Sequence, residues 1–249
     1  MKILLQKNIW NEYGYDRFTQ SIFNADITHQ FVGVVPFTDY FQEEVIFFPD
    51  HVFGSGRFVN ICRGKNYPTF PSFGPIEPEI FPKEFWINGD GVECLWKDLV
   101  IKNDTFIKPF TEKFFTGIVV NSQEDLNKIQ LATSFIEDEG EERIWVSTPK
   151  NIKQEVRFFV LFGNLITASV YKISGIGHHI FAGPEHPAWN VCQYFLKSVP
   201  KDRKNSFAVD LGLVDDQWKI IEMNNLNSSG LYNCDTDALI RALLVSEIS

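Results

Sequence analysis

Two carboxylates and one amide fall where strand geometry can bring them together. Asp210 lies in the apolar run Val209-Asp210-Leu211-Gly212-Leu213, and Glu222 and Asn224 end the run Trp218 to Asn225. The turn Val214-Asp215-Asp216-Gln217 separates the two runs, so the stretch reads as a hairpin. Strand side chains alternate between faces, which puts Glu222 and Asn224 on one side. Asp210 joins them if the register aligns. Oxygen donors of this kind suit Mg²⁺, which binds through one or two carboxylates plus substrate phosphates. A hairpin with a polar rim is the plain alternative. Against it, carboxylates flanked by Val, Leu and Ile are costly to bury without partners.

Cations occur at matching places. Lys108 lies in Phe106-Ile107-Lys108-Pro109-Phe110, and Lys113 precedes Phe114-Phe115-Thr116-Gly117. A strand lysine is a point charge suited to a phosphate, or an ordinary surface residue. The Thr116-Gly117 turn can let backbone N–H groups approach an anion, or can be a tight loop only. Glu155 and Arg157 are two apart in an apolar strand and share a face. Arg157 can stabilise phosphoryl oxygens, or pair with an acid across the strands. Lys172 follows that hairpin, and Arg57 follows the Gly54-Ser55-Gly56 turn; both are candidates for substrate contact. Ser228-Ser229-Gly230 gives a small polar loop able to hold a phosphate or carboxylate. His178, His179 and His186, with Cys192, meet no zinc spacing, and their Gly- and Pro-rich stretch 174–187 reads as a lid or surface loop.

Composition excludes several classes. The 249 residues are 44% hydrophobic, enough for a proper core. The formal net charge of −9 disfavours nonspecific binding to nucleic acid or to anionic membrane. Cys62, Cys94, Cys192 and Cys234 show no paired spacing and read as reduced thiols. No secretory leader or membrane-length apolar run is visible, so a soluble cytoplasmic protein is expected.

The elements that must position these residues follow from patterning. Strands are expected at 2–5, 31–36, 45–49, 100–101, 105–110 and 117–120. A hairpin over 155–171 should turn at Gly163-Asn164. Helices are expected after Ser122, over 189–197, and over 235–248 with Thr236 as cap.

The order Lys108, then Glu155-Val156-Arg157, then Asp210 with Glu222-x-Asn224 resembles an ATP-grasp enzyme. More narrowly, it is similar to the R2K clade of bacterial and phage ATP-grasp domains, marked by two arginines and a lysine. The resemblance runs from about Gly91 to the C-terminus. The Phe53-Gly54-Ser55 turn is similar to the small α/β domain that precedes that fold. This implies an α/β and α+β protein in three parts: a pre-ATP-grasp domain (1–90), an N-terminal lobe (91–150) and a C-terminal lobe (151–249), with ATP held between the lobes. It implies Mg²⁺ on Asp210, Glu222 and Asn224. Lys108, Lys113, Glu155 and Arg157 would then face the nucleotide, with Lys108 and Arg157 acting on its phosphates. It implies adenine reading by the backbone near Val146 and Ser147, and substrate contacts from Arg57, Lys172, Ser228, Ser229 and Gly230. The implied activity is a ligase joining a carboxylate to an amine or thiol through an acyl-phosphate. A nucleotide-binding module without turnover and a phosphotransferase are the alternatives.

Overall fold

The computed structural model describes residues 1–7, 9, 14–71, 82–110, 114–134, 141–199 and 206–245. Among these residues the strands form three sheets. The first is parallel, with β1 (Lys2–Gln6) between β2 (Thr28–Val32) and β3 (His51–Phe53). Helix α1 (Tyr15–Asn24) makes the crossover that a parallel pair requires. Helix α2 (Gly56–Gly64) begins at Ser55, whose Oγ accepts from the Phe58 N–H.

The second sheet is antiparallel, in the order β4-β7-β5-β6. Its strands are β4 (Val92–Leu95), β5 (Thr105–Pro109), β6 (Ile118–Val120) and β7 (Arg143–Ser147). Helix α3 (Gln123–Thr133) covers it, capped by the Ser122 hydroxyl on the Asp125 N–H. Trp96, Ile107, Leu126 and Ile144 fill the space between sheet and helix.

The third sheet carries β8 (Gln154–Leu161), β9 (Asn164–Ile173), β10 (Ile176–Phe181), β11 (Phe207–Val214) and β12 (Gln217–Asn225). It is antiparallel throughout, in the order β10-β9-β8-β11-β12. Helix α4 (Ala188–Ser198) covers one face, where Val156, Phe158, Val209 and Phe195 pack together. Helices α1 and α5 (Thr236–Val245) cover part of the other face, where Phe159, Leu161 and Ala208 meet Phe18 and Leu239. Ile3, Leu5 and Phe53 of the first sheet join this same core.

Several sequence expectations need correction. The strand expected over 31–36 lies at Thr28–Val32, and no strand forms over 45–49 or 100–101. In both of the latter stretches a glutamine side chain takes a backbone N–H that a neighbouring strand would have used. Ile46 donates to Gln30 Oε1 at 3.1 Å and Ile101 to Gln123 Oε1 at 3.0 Å. The β8–β9 turn is centred on Phe162-Gly163, one residue earlier than expected, with φ of 51° and 79°. Positive φ at both central residues matches the twist of a tight hairpin. The stretch 174–187 is not simply a loop, because 176–181 form β10. Asp235 rather than Thr236 caps α5, accepting from the Ala238 N–H at 2.8 Å.

Candidate functional site

Strand alternation builds the site. On β8, Val156, Phe158 and Val160 point to the core under α4, while Phe159 and Leu161 point to the core under α1 and α5. Glu155 and Arg157 share the second face but lie beyond the helices, beside a cleft. On β11 the same division puts Ala208 in the core and Asp210 at the cleft. Register then closes the set, with Asp210 opposite Arg157 on one side and Glu222 on the other.

Two β-bulges sit at this point. Between the pairs Asp210↔Glu222 and Leu211↔Ile220, β12 carries one extra residue, Ile221. Between Glu155↔Lys172 and Val156↔Val170, β9 carries an extra residue, Tyr171. Bulges re-aim side chains, and here both extra residues line the cleft.

The cleft has a volume of about 570 Å³ and lies between the second and third sheets. That volume falls in the range of small-molecule sites, roughly 300–1,000 Å³. Lys108, Phe106 and Gly117 line one wall, and Glu155, Arg157, Asp210, Glu222 and Asn224 the other. Lys150, in the connection between the sheets, also reaches it and pairs with Asp90 at 2.9 Å.

Charges inside the cleft are matched one to one. Arg157 grips Asp210 with two parallel bonds, Nε to Oδ1 and Nη2 to Oδ2, both at 2.7 Å. Its Nη1 lies 3.5 Å from the Gly230 carbonyl oxygen. Lys108 Nζ crosses from β5 to Glu222 Oε2 at 3.0 Å, and Asn224 Nδ2 donates to Glu222 Oε1 at 3.1 Å. Lys172 Nζ lies 3.0 Å from Glu155 Oε1, and the Tyr171 hydroxyl donates to Glu155 Oε2 at 2.5 Å.

Burial governs how these groups titrate. Asp210 is 1% exposed, and desolvation pushes its carboxyl up while the Arg157 guanidinium pulls it back. Burial works against the charge on Arg157, but Asp210 outweighs it and the guanidinium stays charged. Burial also acts to raise Glu222, but is outweighed by the Lys108 charge, the Asn224 and Lys108 hydrogen bonds, and Arg157. Glu222 ends below its ordinary 4.5. The Tyr171 phenol is raised by burial and by the charges of Asp210 and Glu155, so it keeps its proton.

The structure brings together Lys108, Glu155, Arg157, Lys172, Asp210, Glu222 and Asn224. It does not bring Arg57, which donates to the Thr38 carbonyl on an exposed surface. Ser228 and Ser229 line a smaller recess with Tyr15, Phe53 and Gly54. Val146 and Ser147 do not line the cleft; both pair within the β4-β7-β5 ladder. Lys113 lies outside the described residues. The histidines and Cys192 do not form a metal site. His179 stacks on Tyr232, His186 packs on Trp218, and Cys192 is buried beneath the sheet. Among the described residues no three His, Cys, Asp or Glu side chains make a metal cluster by themselves. Not foreseen from the sequence are Tyr171, which shares a face of β9 with Ser169, and Lys150, which lies in an irregular connection. No helix among the described residues is long and apolar enough to cross a membrane.

Comparison with known proteins agrees with this architecture. Among solved structures, a RimK domain protein ATP-grasp from Sphaerobacter thermophilus DSM 20745 is 10% identical. It superposes with a TM-score of 0.62, over 96% of this chain and 98% of that one. D-cycloserine synthetase DcsG is 11% identical, with a TM-score of 0.61 over 100% and 99%. D-alanine--D-alanine ligase from Bacillus anthracis is 14% identical, with a TM-score of 0.54 over 100% and 98%. At these identities the likeness shows the fold alone. No curated protein matches the sequence. The family model described as ATP-grasp domain, R2K clade family 2, matches residues 92–242, well over half of the chain. The fold is therefore ATP-grasp, and the chain belongs to family 2 of the R2K clade of ATP-grasp domains.

Proposed function

We propose that this protein is an ATP- and Mg²⁺-dependent ligase that activates a carboxylate as an acyl-phosphate for attack by an amine or thiol. The observation that carries this reading is the meeting of Lys108 and Glu222 across the cleft. A cation from one sheet and a carboxylate from the other converge at 3.0 Å, with Arg157 and Asp210 next in register. A cleft with charge-matched walls suits a ligand that brings both a polyanion and a cation. The membership of the ATP-grasp family names ATP as that polyanion.

The donor set fits Mg²⁺. Glu222 and Asn224 reach the cleft from one strand face and Asp210 lies in register beside them, giving oxygen donors only. Bound there, the metal would supply charge neutralisation for the phosphates. The chain's own residues do the rest. Lys108 exchanges Glu222 for phosphate oxygens as a point charge. Arg157, already fixed by Asp210, presents its remaining N–H groups toward the transferred phosphoryl. Glu155 holds Lys172 at the cleft edge, where its ammonium can meet a substrate carboxylate. Phe106, Ile152 and Ile221 provide apolar walls for the base. Adenine reading is assigned to the connection after Ser147 rather than to Val146 and Ser147, whose backbones pair within the sheet. Covalent catalysis by a side chain is not required; positioning and electrostatics carry the reaction.

The test is trapping. Protein, MgATP and a panel of carboxylates are incubated with hydroxylamine, and hydroxamate, ADP and phosphate are measured. Hydroxamate formed in step with ADP supports the ligase. A phosphorylated product without free phosphate would replace it with a phosphotransferase, and MgATP binding without turnover on any carboxylate would leave a binding module.

A further inference from the structure

We infer that Tyr171, backed by Tyr232, is a positioning residue that fixes the Arg157 guanidinium in the cleft. This assignment rests on the reading of Arg157 as a phosphate-facing group.

The geometry is specific. The Tyr171 hydroxyl lies 2.5 Å from Glu155 Oε2 and 3.4 Å from Asp210 Oδ2. It thus stands between two carboxylates that already hold cations, Lys172 on Glu155 and Arg157 on Asp210. The groups form one chain: Lys172, Glu155, Tyr171, Asp210, Arg157. The Tyr171 ring adds a second contact, since the Arg157 guanidinium carbon lies 5.4 Å from its centroid and also 5.4 Å from that of Tyr232. The two rings stack at 5.0 Å with an interplanar angle of 16°, and His179 stacks with Tyr232 at 5.8 Å.

The backbone is arranged to deliver both rings. Tyr171 is the extra residue of the β9 bulge: it keeps the face of Ser169, two residues back, and the bulge brings Lys172 to that same face. Tyr232 has φ +46°, a left-handed conformation that a bulky residue adopts only when its surroundings hold it. Arg17 of α1 supplies that hold, donating to the Tyr232 carbonyl and to the Asn233 side chain. Two irregular backbone positions on separate segments therefore converge on one guanidinium. A planar cation that lies beside two stacked rings and is gripped by a carboxylate along one edge has little freedom to rotate. Its free N–H groups are then aimed before any ligand arrives, which is the condition for effective electrostatic stabilisation.

The test uses Tyr171→Phe, which keeps the ring and removes the hydroxyl, and Tyr171→Leu, which removes both. The first readout is the Arg157 Nε–H signal in arginine side-chain NMR, assigned by its loss in Arg157→Lys. In the full-length wild type this proton is expected to be protected from exchange. Protection should fall in Tyr171→Phe and vanish in Tyr171→Leu. Unchanged protection in both variants overturns the inference, and this arm needs no turnover. The second readout is kinetic. Tyr171→Phe should lower kcat by roughly 10- to 100-fold, the usual cost of losing an outer partner of a functional group, with KM for ATP within about twofold. In the Arg157→Lys background the same substitution should add little. Full additivity, or a loss explained by melting temperature alone, overturns it. Wild-type protein that never turns over ATP would sink the ligase reading, while the NMR arm still decides the role of Tyr171.

Discussion

Lys108 and Glu222 join two sheets through one ion pair, 3.0 Å long and largely shielded from solvent. In the proposed reading these two side chains hold a phosphate and a metal, so ligand entry would replace the pair. Glu222→Gln should keep the fold and abolish MgATP-dependent turnover. Thermal melts with Mg²⁺ and ATP, alone and together, check this. The wild-type midpoint should rise most when both are present, and the variant's rise should be reduced. An equal rise in both proteins would remove Glu222 from the metal.

The same residue gives a pH dependence of defined sign. Glu222 titrates below its ordinary 4.5 in the folded protein: burial opposes this, but Lys108, Asn224 and Arg157 outweigh it. A depressed carboxyl stabilises the fold above the ordinary value, and that stability is lost as pH falls through the lowered native value. The stability gap between wild type and Glu222→Gln should be full at neutral pH and close below pH 4.5. Urea titrations across pH 3 to 7 measure it.

Arg157→Ala should destabilise the protein by about 3–5 kcal/mol, because it leaves the buried Asp210 carboxylate without its partner. Asp210→Asn should restore part of that loss in the double variant, since a neutral amide costs less to bury. Chemical denaturation of the two single variants and the double variant gives the coupling.

Asn227 ties the end of β12 to the first sheet. Its Nδ2 donates to the Val52 carbonyl, and its Oδ1 accepts from the Phe70 N–H at 2.6 Å. Asn227→Ala strands both backbone groups in a site where Asn227 is 3% exposed. A loss of about 2–4 kcal/mol is expected from two unsatisfied buried groups. Hydrogen exchange at the Phe70 amide should accelerate more than at core amides of β8.

Gly117 faces the Phe106 ring so closely that an added Cβ would lie 2.8 Å from Cζ. Gly117→Ala should push that ring toward the cleft. Forcing a packed side chain aside costs about 1–3 kcal/mol, so nucleotide affinity should fall roughly tenfold. Calorimetric titration with ATP and Mg²⁺ measures it.

The core of the site was legible in the sequence because it follows the strand period. Asp210, Glu222 and Asn224 stand out as polar positions in apolar alternation, and the hairpin places Asp210 opposite Glu222. Ser122 announced its helix as a cap. What escaped depends on breaks in that period or on partners distant in sequence. That Tyr171 and Lys172 share the cleft face escaped because β9 bulges there, and no local pattern encodes the bulge. Val45 to Pro49 has strand composition, yet the Gln30 side chain takes the Ile46 N–H and the neighbouring Glu44 carbonyl in place of a strand partner. β10 lies at a sheet edge with most of its side chains exposed, so burial imposes no alternation on it. Which cation meets which carboxylate was likewise invisible, since Lys108 and Glu222 are 114 positions apart.

The shared core beneath α1 and α5 bears on how this protein can be divided. Residues 92–242 define the family, but Phe159, Leu161 and Ala208 inside that span pack directly against Ile3, Leu5, Phe18 and Phe53 outside it. A fragment cut at the family boundary would present that apolar surface to water and invite aggregation. The unit of inheritance and the unit of folding therefore differ here. Grafting this ATP-grasp module onto another protein would succeed only if its amino-terminal sheet travels with it.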